Sequence, residues 1–239
     1  MNPDLFRLDY ILYILCFLSI LLSLYAQIKV TSTFRKYSSV YTRNGKTARE
    51  VARMILDRNR LYGVRIERVY GNLTDHYDPR SGTLRLSDSV YDSTSAAAVG
   101  VAAHEAGHAV QHATKYFPLV IRTRLVPITG FASRFSWLVI MAGILLMMLD
   151  GIIGYYTVLF GIGLFAVVTL FQLVTLPVEF NASRRAMAAL EGSGSFERDE
   201  LSASRRVLTA AALTYVAALL VSLLQLLRLV VRFTGNRRR

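Results

Sequence analysis

The sequence predicts a mainly α integral membrane protein, with about four transmembrane helices and a small α+β domain. Three observations predict it. Four apolar runs, at residues 5–28, 135–149, 152–176 and 207–233, read as spans of a bilayer core that takes about 20 apolar residues to cross. Hydrophobic residues make up 53% of the 239 residues, and the mean hydropathy of +0.38 is too apolar for an ordinary soluble domain. Residues 29–116 are polar by contrast and carry short strand and helix signals.

Taken in order, residues 5–28 form the first span. They do not read as a cleaved leader: the start is weakly basic, the apolar run is long, and Ala-x-Ala is missing. In the soluble stretch 29–116, Thr47-Ala-Arg-Glu50 has the spacing of a capping box and predicts a helix through Arg60. Residues 64–70 and 83–86 read as short strands. Between them, 72–82 reads as a further strand and a turn marked by Asp78-Pro79 and Ser81-Gly82. Asp92 or Ser93 is expected to cap the long helix that follows. Residues 117–134 mix apolar positions with Arg122, Arg124 and Arg134, and Pro118 and Pro127 interrupt them. That pattern predicts an amphipathic interfacial segment.

Residues 135–176 should form a transmembrane hairpin about Asp150-Gly151. Pro177 suits the first turn of a new helix, so 177–206 reads as a helix followed by the loop Glu191-Gly-Ser-Gly-Ser195. The last span, 207–233, carries Arg228 and Arg232 four apart, placed to snorkel. Residues 234–239 form a basic tail.

The net charge is +12, and the basic residues flank apolar runs without interleaved aromatics. That favours membrane lipids over nucleic acid as a partner. Cys16 is the single cysteine, which excludes an intramolecular disulfide and a thiolate metal site.

The chemistry lies in His104-Glu105-Ala106-Gly107-His108, inside a run that reads as helix. Residues four apart share a helix face, so both imidazoles can point at one Zn²⁺. Glu105 then sits beside the metal, placed to take a proton from water. The neighbours Ala102, Ala103, Ala106, Gly107 and Ala109 are small, as a closely packed helix requires.

A catalytic zinc needs a third protein ligand. His112 would have to reach back over about 6 Å of helical rise, so it reads as a residue that packs beside the site or supports a ligand. The metzincin pattern needs a His where Thr114 stands, so that class fails. A distant carboxylate remains. Glu179 is the best candidate, because a hairpin returns the chain to the side it left and Pro177 places Glu179 near a helix start. Glu191, Glu197 and Glu200 follow in a looser context.

His104-Glu-x-Gly-His-Ala-x-Gln111, with Asp75-His-Tyr-Asp-Pro79 upstream and Glu179-Phe-Asn-Ala-Ser-Arg-Arg-Ala186 downstream, resembles the YugP-type membrane zinc metallopeptidases over nearly the whole chain. It is similar more distantly to the HtpX-type membrane gluzincins. There the Glu ligand follows an apolar hairpin and is itself followed by Ala and Asp. Glu179 and Ala182 match that pattern, and Ser183 stands where Asp would be. The resemblance implies a zincin-like metalloprotease domain, a zinc metalloendopeptidase acting on protein or peptide substrates, and a prokaryotic plasma membrane.

Four further readings follow. His76 and Tyr77, on the strand expected to line the cleft, are candidates for substrate or oxyanion contacts. Asn181 is a candidate to hold a ligand from behind. Arg184 and Arg185 read as interfacial anchors. The charges around the spans put the zinc domain and Glu179 in the cytoplasm by the positive-inside rule. Arg237-Arg238-Arg239 opposes this, since four spans leave both termini outside. Two other classes compete. A site inside lipid, as in an intramembrane protease, does not fit a zinc helix preceded by a polar domain. A catalytically inactive scaffold does not fit the presence of His104, Glu105, His108 and Glu179 together.

Overall fold

The computed structural model describes residues 3–235. Met1, Asn2 and residues 236–239 lie outside the described residues, and with them Arg237-Arg238-Arg239 of the basic tail. The elements in chain order are α1 (Pro3–Tyr37), α2 (Ala48–Arg58), β1 (Arg65–Val69), β2 (His76–Asp78), β3 (Thr83–Ser87), α3 (Ala96–Ala113), α4 (Phe117–Leu146), α5 (Gly151–Glu191) and α6 (Arg198–Thr234). Among the described residues, four helices, α1, α4, α5 and α6, are long and apolar enough to cross a membrane. The protein is therefore a mainly α membrane protein with a small α+β part. Its contacts divide it into two units. One is Met1–Tyr25, Ile121–Leu176 and Tyr215–Arg239; the other is Ala26–Val120 and Pro177–Thr214.

The first unit packs by shape. Asp150 opens α5 by accepting from the backbone N–H groups of Ile152 and Ile153, both at 2.9 Å, which satisfies donors a helix start leaves orphaned. The α4–α5 hairpin closes on glycines. A Cβ on Gly143 would stand 2.6 Å from Val158 N, and one on Gly161 would stand 2.6 Å from Ile140 Cγ1. Small residues at such crossings let membrane helices approach closely. Ile140, Val158 and Ile162 are buried there, with Leu226, Leu229 and Phe233 of α6 against them. Outward, Leu138, Leu145, Ile152 and Phe160 are exposed, as a lipid-facing surface requires. Arg228 and Arg232 do not simply snorkel: Asp9 of α1 holds both, at 3.5 and 3.0 Å. Arg228 also lies over the Tyr13 ring, 4.7 Å from its centroid.

The second unit has a conventional core. Val51, Ile55 and Leu56 of α2, Leu84 and Leu86 of β3, Val99, Ala102 and Ala106 of α3, and Met187 and Leu190 of α5 are buried together. The expected capping box is present, with Thr47 accepting from Glu50 N and Glu50 accepting from Thr47 N. The three strands form a sheet in the order β1-β3-β2. β1 is parallel to β3, and β2 is antiparallel, pairing Tyr77 with Leu84. β2 is thus an edge strand.

Several boundaries differ from expectation. Ser95, not Asp92 or Ser93, caps α3 by accepting from Ala98 N at 3.2 Å. The Asp92 carboxylate is taken by Arg49 and Arg68, and Ser93 Oγ donates to Ser95 Oγ. Pro127 lies inside α4, so 117–134 is the first part of one helix rather than a separate surface segment. Pro177 likewise lies inside α5 and opens no new helix. A proline removes one backbone donor and crowds one carbonyl, yet both helices continue through it. α6 begins at Arg198, after a short loop, instead of near 207.

Candidate metal centre

α3 presents His104 and His108 on one face, their ring centroids 4.7 Å apart and nearly perpendicular. α5 supplies Glu179, which is 2% exposed. One carboxylate oxygen, Glu179 Oε2, lies 3.3 Å from His104 Nε2 and 3.5 Å from His108 Nε2. One donor atom from each of the three residues falls within 4.8 Å of the others.

This set passes a simple test of fit. Donors 2.0–2.1 Å from a tetrahedral zinc stand about 3.3 Å from one another. The two measured imidazole–carboxylate separations agree with that spacing, and two imidazoles with one carboxylate suit Zn²⁺. His104, His108 and Glu179 are the residues that would hold such an ion.

The helices reach this spacing because Gly107 has no side chain. A Cβ there would stand 2.7 Å from the Ala182 carbonyl oxygen, so α3 and α5 cross in contact at the turn between the two histidines. Gly100 does the same on α6, where a Cβ would stand 3.1 Å from Ser204 Cβ. Ser204 Oγ donates to Ala96 O at 2.7 Å.

The outer nitrogens of both rings are engaged. His104 Nδ1 lies 3.1 Å from Ser183 Oγ, and His108 Nδ1 lies 2.9 Å from Gln111 Oε1. Both Nε2 atoms are left facing Glu179. Burial acts to lower the His108 imidazole, but the hydrogen bond it gives to Glu179 and the charges of Glu105 and Glu179 outweigh it and hold the ring above its ordinary value. A proton and a metal therefore compete for this nitrogen.

Glu105, next along α3, accepts from the backbone N–H of Tyr77 at 3.0 Å. The free edge of β2 thus meets the glutamate beside the cluster. Tyr77 and His76 point to opposite sides, as consecutive strand residues do. Tyr77 Oη lies 3.0 Å from His112 Nδ1, while His76 Nδ1 turns to Thr74 O at 2.8 Å. Burial first, and then the charge of Asp78, push the Tyr77 phenol up, so it stays protonated at neutral pH. His112 is exposed and bonds Tyr77 rather than either ligand.

Asn181 stands one bond further out. Its Oδ1 accepts from Gln111 Nε2 at 2.9 Å and from Arg185 Nε at 2.8 Å. Arg185 is therefore tied to the site rather than free as an anchor; Arg184 is exposed. Ser183, standing where the HtpX-type pattern has Asp, brings a hydroxyl to His104 in place of a carboxylate; the role of Gln111 escapes a reading of the sequence, although its spacing, three after His108, puts it beside that ring.

Comparisons with known proteins agree with this chemistry. A protein-family model described as "Putative neutral zinc metallopeptidase" matches residues 12–234. The "Putative membrane protease YugP" of Bacillus subtilis (strain 168) is 49% identical over 216 residues, covering 90% of this chain and 93% of that one. No solved structure matches. With nearly its whole length matched, the chain belongs to this family of neutral zinc metallopeptidases.

Proposed function

We propose that the protein is a membrane-bound zinc metalloendopeptidase that hydrolyses peptide bonds of protein substrates at the membrane surface. The observation that carries the reading is the convergence of His104 Nε2, His108 Nε2 and Glu179 Oε2 at zinc-ligand spacing. His104, His108 and Glu179 would hold the zinc, which would supply polarisation of a scissile carbonyl and a more acidic water. Glu105 takes the proton of the attacking water and hands it to the leaving amine; the Tyr77 N–H fixes one of its oxygens and leaves the other for this work. Tyr77 is the better oxyanion donor of the β2 pair. In the His112 tautomer that carries its proton on Nδ1, that ring donates to the phenol oxygen and leaves the Tyr77 O–H for charge developing on the substrate. The edge of β2 beside Glu105 is where an extended peptide would pair, once it displaces the Tyr77 N–H from Glu105.

The basic residues that flank the spans favour a cytoplasmic face for the zinc unit in a prokaryotic plasma membrane, with lipids and protein substrates as partners.

The test is metal content and turnover of the detergent-purified chain. Wild type should hold about one zinc and cleave an unfolded protein substrate. Glu105→Gln should keep the zinc and lose turnover by about 10²-fold or more, and His104→Ala should lose the zinc. Tyr77→Phe should lower kcat with zinc retained. Wild type without zinc affinity, or Glu105→Gln with full activity, sinks the reading.

A further inference from the structure

Two groups beside the cluster have only one hydrogen-bonding role each. A backbone carbonyl only accepts, and a guanidinium only donates. Arg185 Nε donates to Asn181 Oδ1 at 2.8 Å, which fixes the end of the Asn181 amide that faces inward. That oxygen and the Val178 carbonyl then both accept from Gln111 Nε2, at 2.9 and 2.8 Å. Both hydrogens of the Gln111 amide are thereby used. Gln111 is fully buried, and turning its amide over would set its oxygen against two acceptors. Gln111 Oε1 must therefore face His108 Nδ1, at 2.9 Å, and can only accept. In the neutral ring the proton is then on Nδ1 and the lone pair on Nε2, the atom turned to Glu179.

We propose that Arg185, Asn181 and Gln111 form a relay that locks His108 in the Nδ1–H tautomer, the one able to ligate a metal through Nε2. The proposal rests on the metal-site reading above. The relay makes all three positioning residues. It also makes the two histidines unequal: Ser183 Oγ, 3.1 Å from His104 Nδ1, both donates and accepts, so it imposes no tautomer.

This inequality gives the test. Zinc affinity of the full detergent-purified chain is measured by competition with a chromophoric chelator, alongside the zinc-induced rise in Tm. Loss of a group that orients a metal ligand typically costs 10–100-fold in affinity. Asn181→Leu, which touches no ligand, should weaken zinc about tenfold, more than Ser183→Ala, which does. Its zinc-induced rise in Tm should shrink, because that rise follows the affinity; a merely structural clamp would lower Tm equally with and without zinc. Asn181→Asp keeps the acceptor oxygen for both donors and should retain wild-type affinity. The neighbouring Arg184→Gln should leave it unchanged. Should Asn181→Leu fail to fold, Arg185→Leu removes the outer end of the same relay and should weaken zinc in the same direction. Wild-type affinity in Asn181→Leu or Arg185→Leu, or equal losses in Asn181→Asp and Asn181→Leu, overturns the relay. Wild type that binds no zinc removes the metal site itself, a separate outcome.

Discussion

The two units differ in how far their buried polar side chains reach: in one they bond across elements, while in the other Ser19 and Ser222 return their hydroxyls to carbonyls of their own helix. In the unit that carries the metal cluster, a buried polar side chain closes on specific partners. Gln111 bonds Val178, Asn181 and His108. Glu200, 2% exposed, accepts from the backbone N–H groups of Arg43 and Glu197 at 2.7 and 2.8 Å. In the other unit, the buried hydroxyls of Thr129, Ser136 and Thr175 have no hydrogen-bond partner among the described residues. What fits there is volume: glycines against Val158 and Ile140. Its ionic feature, Asp9 with Arg228 and Arg232, joins two helices at their ends. The difference teaches that hydrogen-bond direction weighs more in one unit and shape more in the other, where the Thr169 hydroxyl still reaches Ser222 O at 3.5 Å.

The largest effect should come where shape and direction meet. Gly107→Ala sets a Cβ 2.7 Å from a backbone carbonyl oxygen, and neither helix can yield without shifting Glu179 of α5 against His104 and His108 of α3. Overpacking of this kind costs about 1–3 kcal/mol, occasionally more, and zinc affinity should fall with it. A Cβ placed on Gly130 or Gly163 would meet nothing within 4 Å, so Ala there should be neutral or stabilising by up to about 1 kcal/mol through helix propensity. Thermal unfolding and zinc titration of the three variants would show it. A harmless Gly107→Ala would mean that the α3–α5 crossing does not set the ligand geometry.

The features legible in the sequence are those with a local spacing. The capping box at Thr47 and Glu50 is fixed by three residues, and the pairing of His104 with His108 by four. Glu179 is reachable only through the hairpin argument, and it arrives in the right place although Pro177 opens no helix. The prolines mislead because their cost is local while packing is not: Pro177 stays inside α5 among buried Thr175, Val178 and Glu179, and α4 runs through Pro127 although Val126 and Ile128 beside it are exposed. The cap at Ser95 is hidden by two equally good oxygens upstream, which ion pairs and a neighbouring hydroxyl claim. Gln111 and Ser183 are within reach by helical spacing. Nothing in the sequence, however, says that an amide on one helix will find a carbonyl 67 residues away.

A middling effect is expected at the ionic feature. Asp9→Leu leaves Arg228 and Arg232 facing a leucine. Their side chains are 32% and 53% exposed, so water screens much of the loss and the cost should be about 1–2 kcal/mol. Adding Arg228→Leu should recover part of it, since two apolar groups replace a charge left without its partner. The Tm of the single and double variants in detergent decides this. If the double variant is worse than the single by the full cost of Arg228→Leu alone, the two sites do not interact.

The smallest effect sharpens the comparison most. Ser136 is 1% exposed, and its hydroxyl bonds to nothing among the described residues. Ser136→Ala removes an oxygen that gives no hydrogen bond and leaves the close Gly161 contact, where a Cβ would stand 3.2 Å from Ser136 O, unaltered. Deleting an unsatisfied buried polar group is nearly neutral or stabilising, so Tm should hold or rise slightly. The same size of change in the other unit, Ser204→Ala, deletes the 2.7 Å bond to Ala96 O at the start of the zinc helix and should cost about 1 kcal/mol. Equal losses at the two serines would show that Ser136 bonds a partner in the folded membrane protein, and the division between shape and direction would not hold.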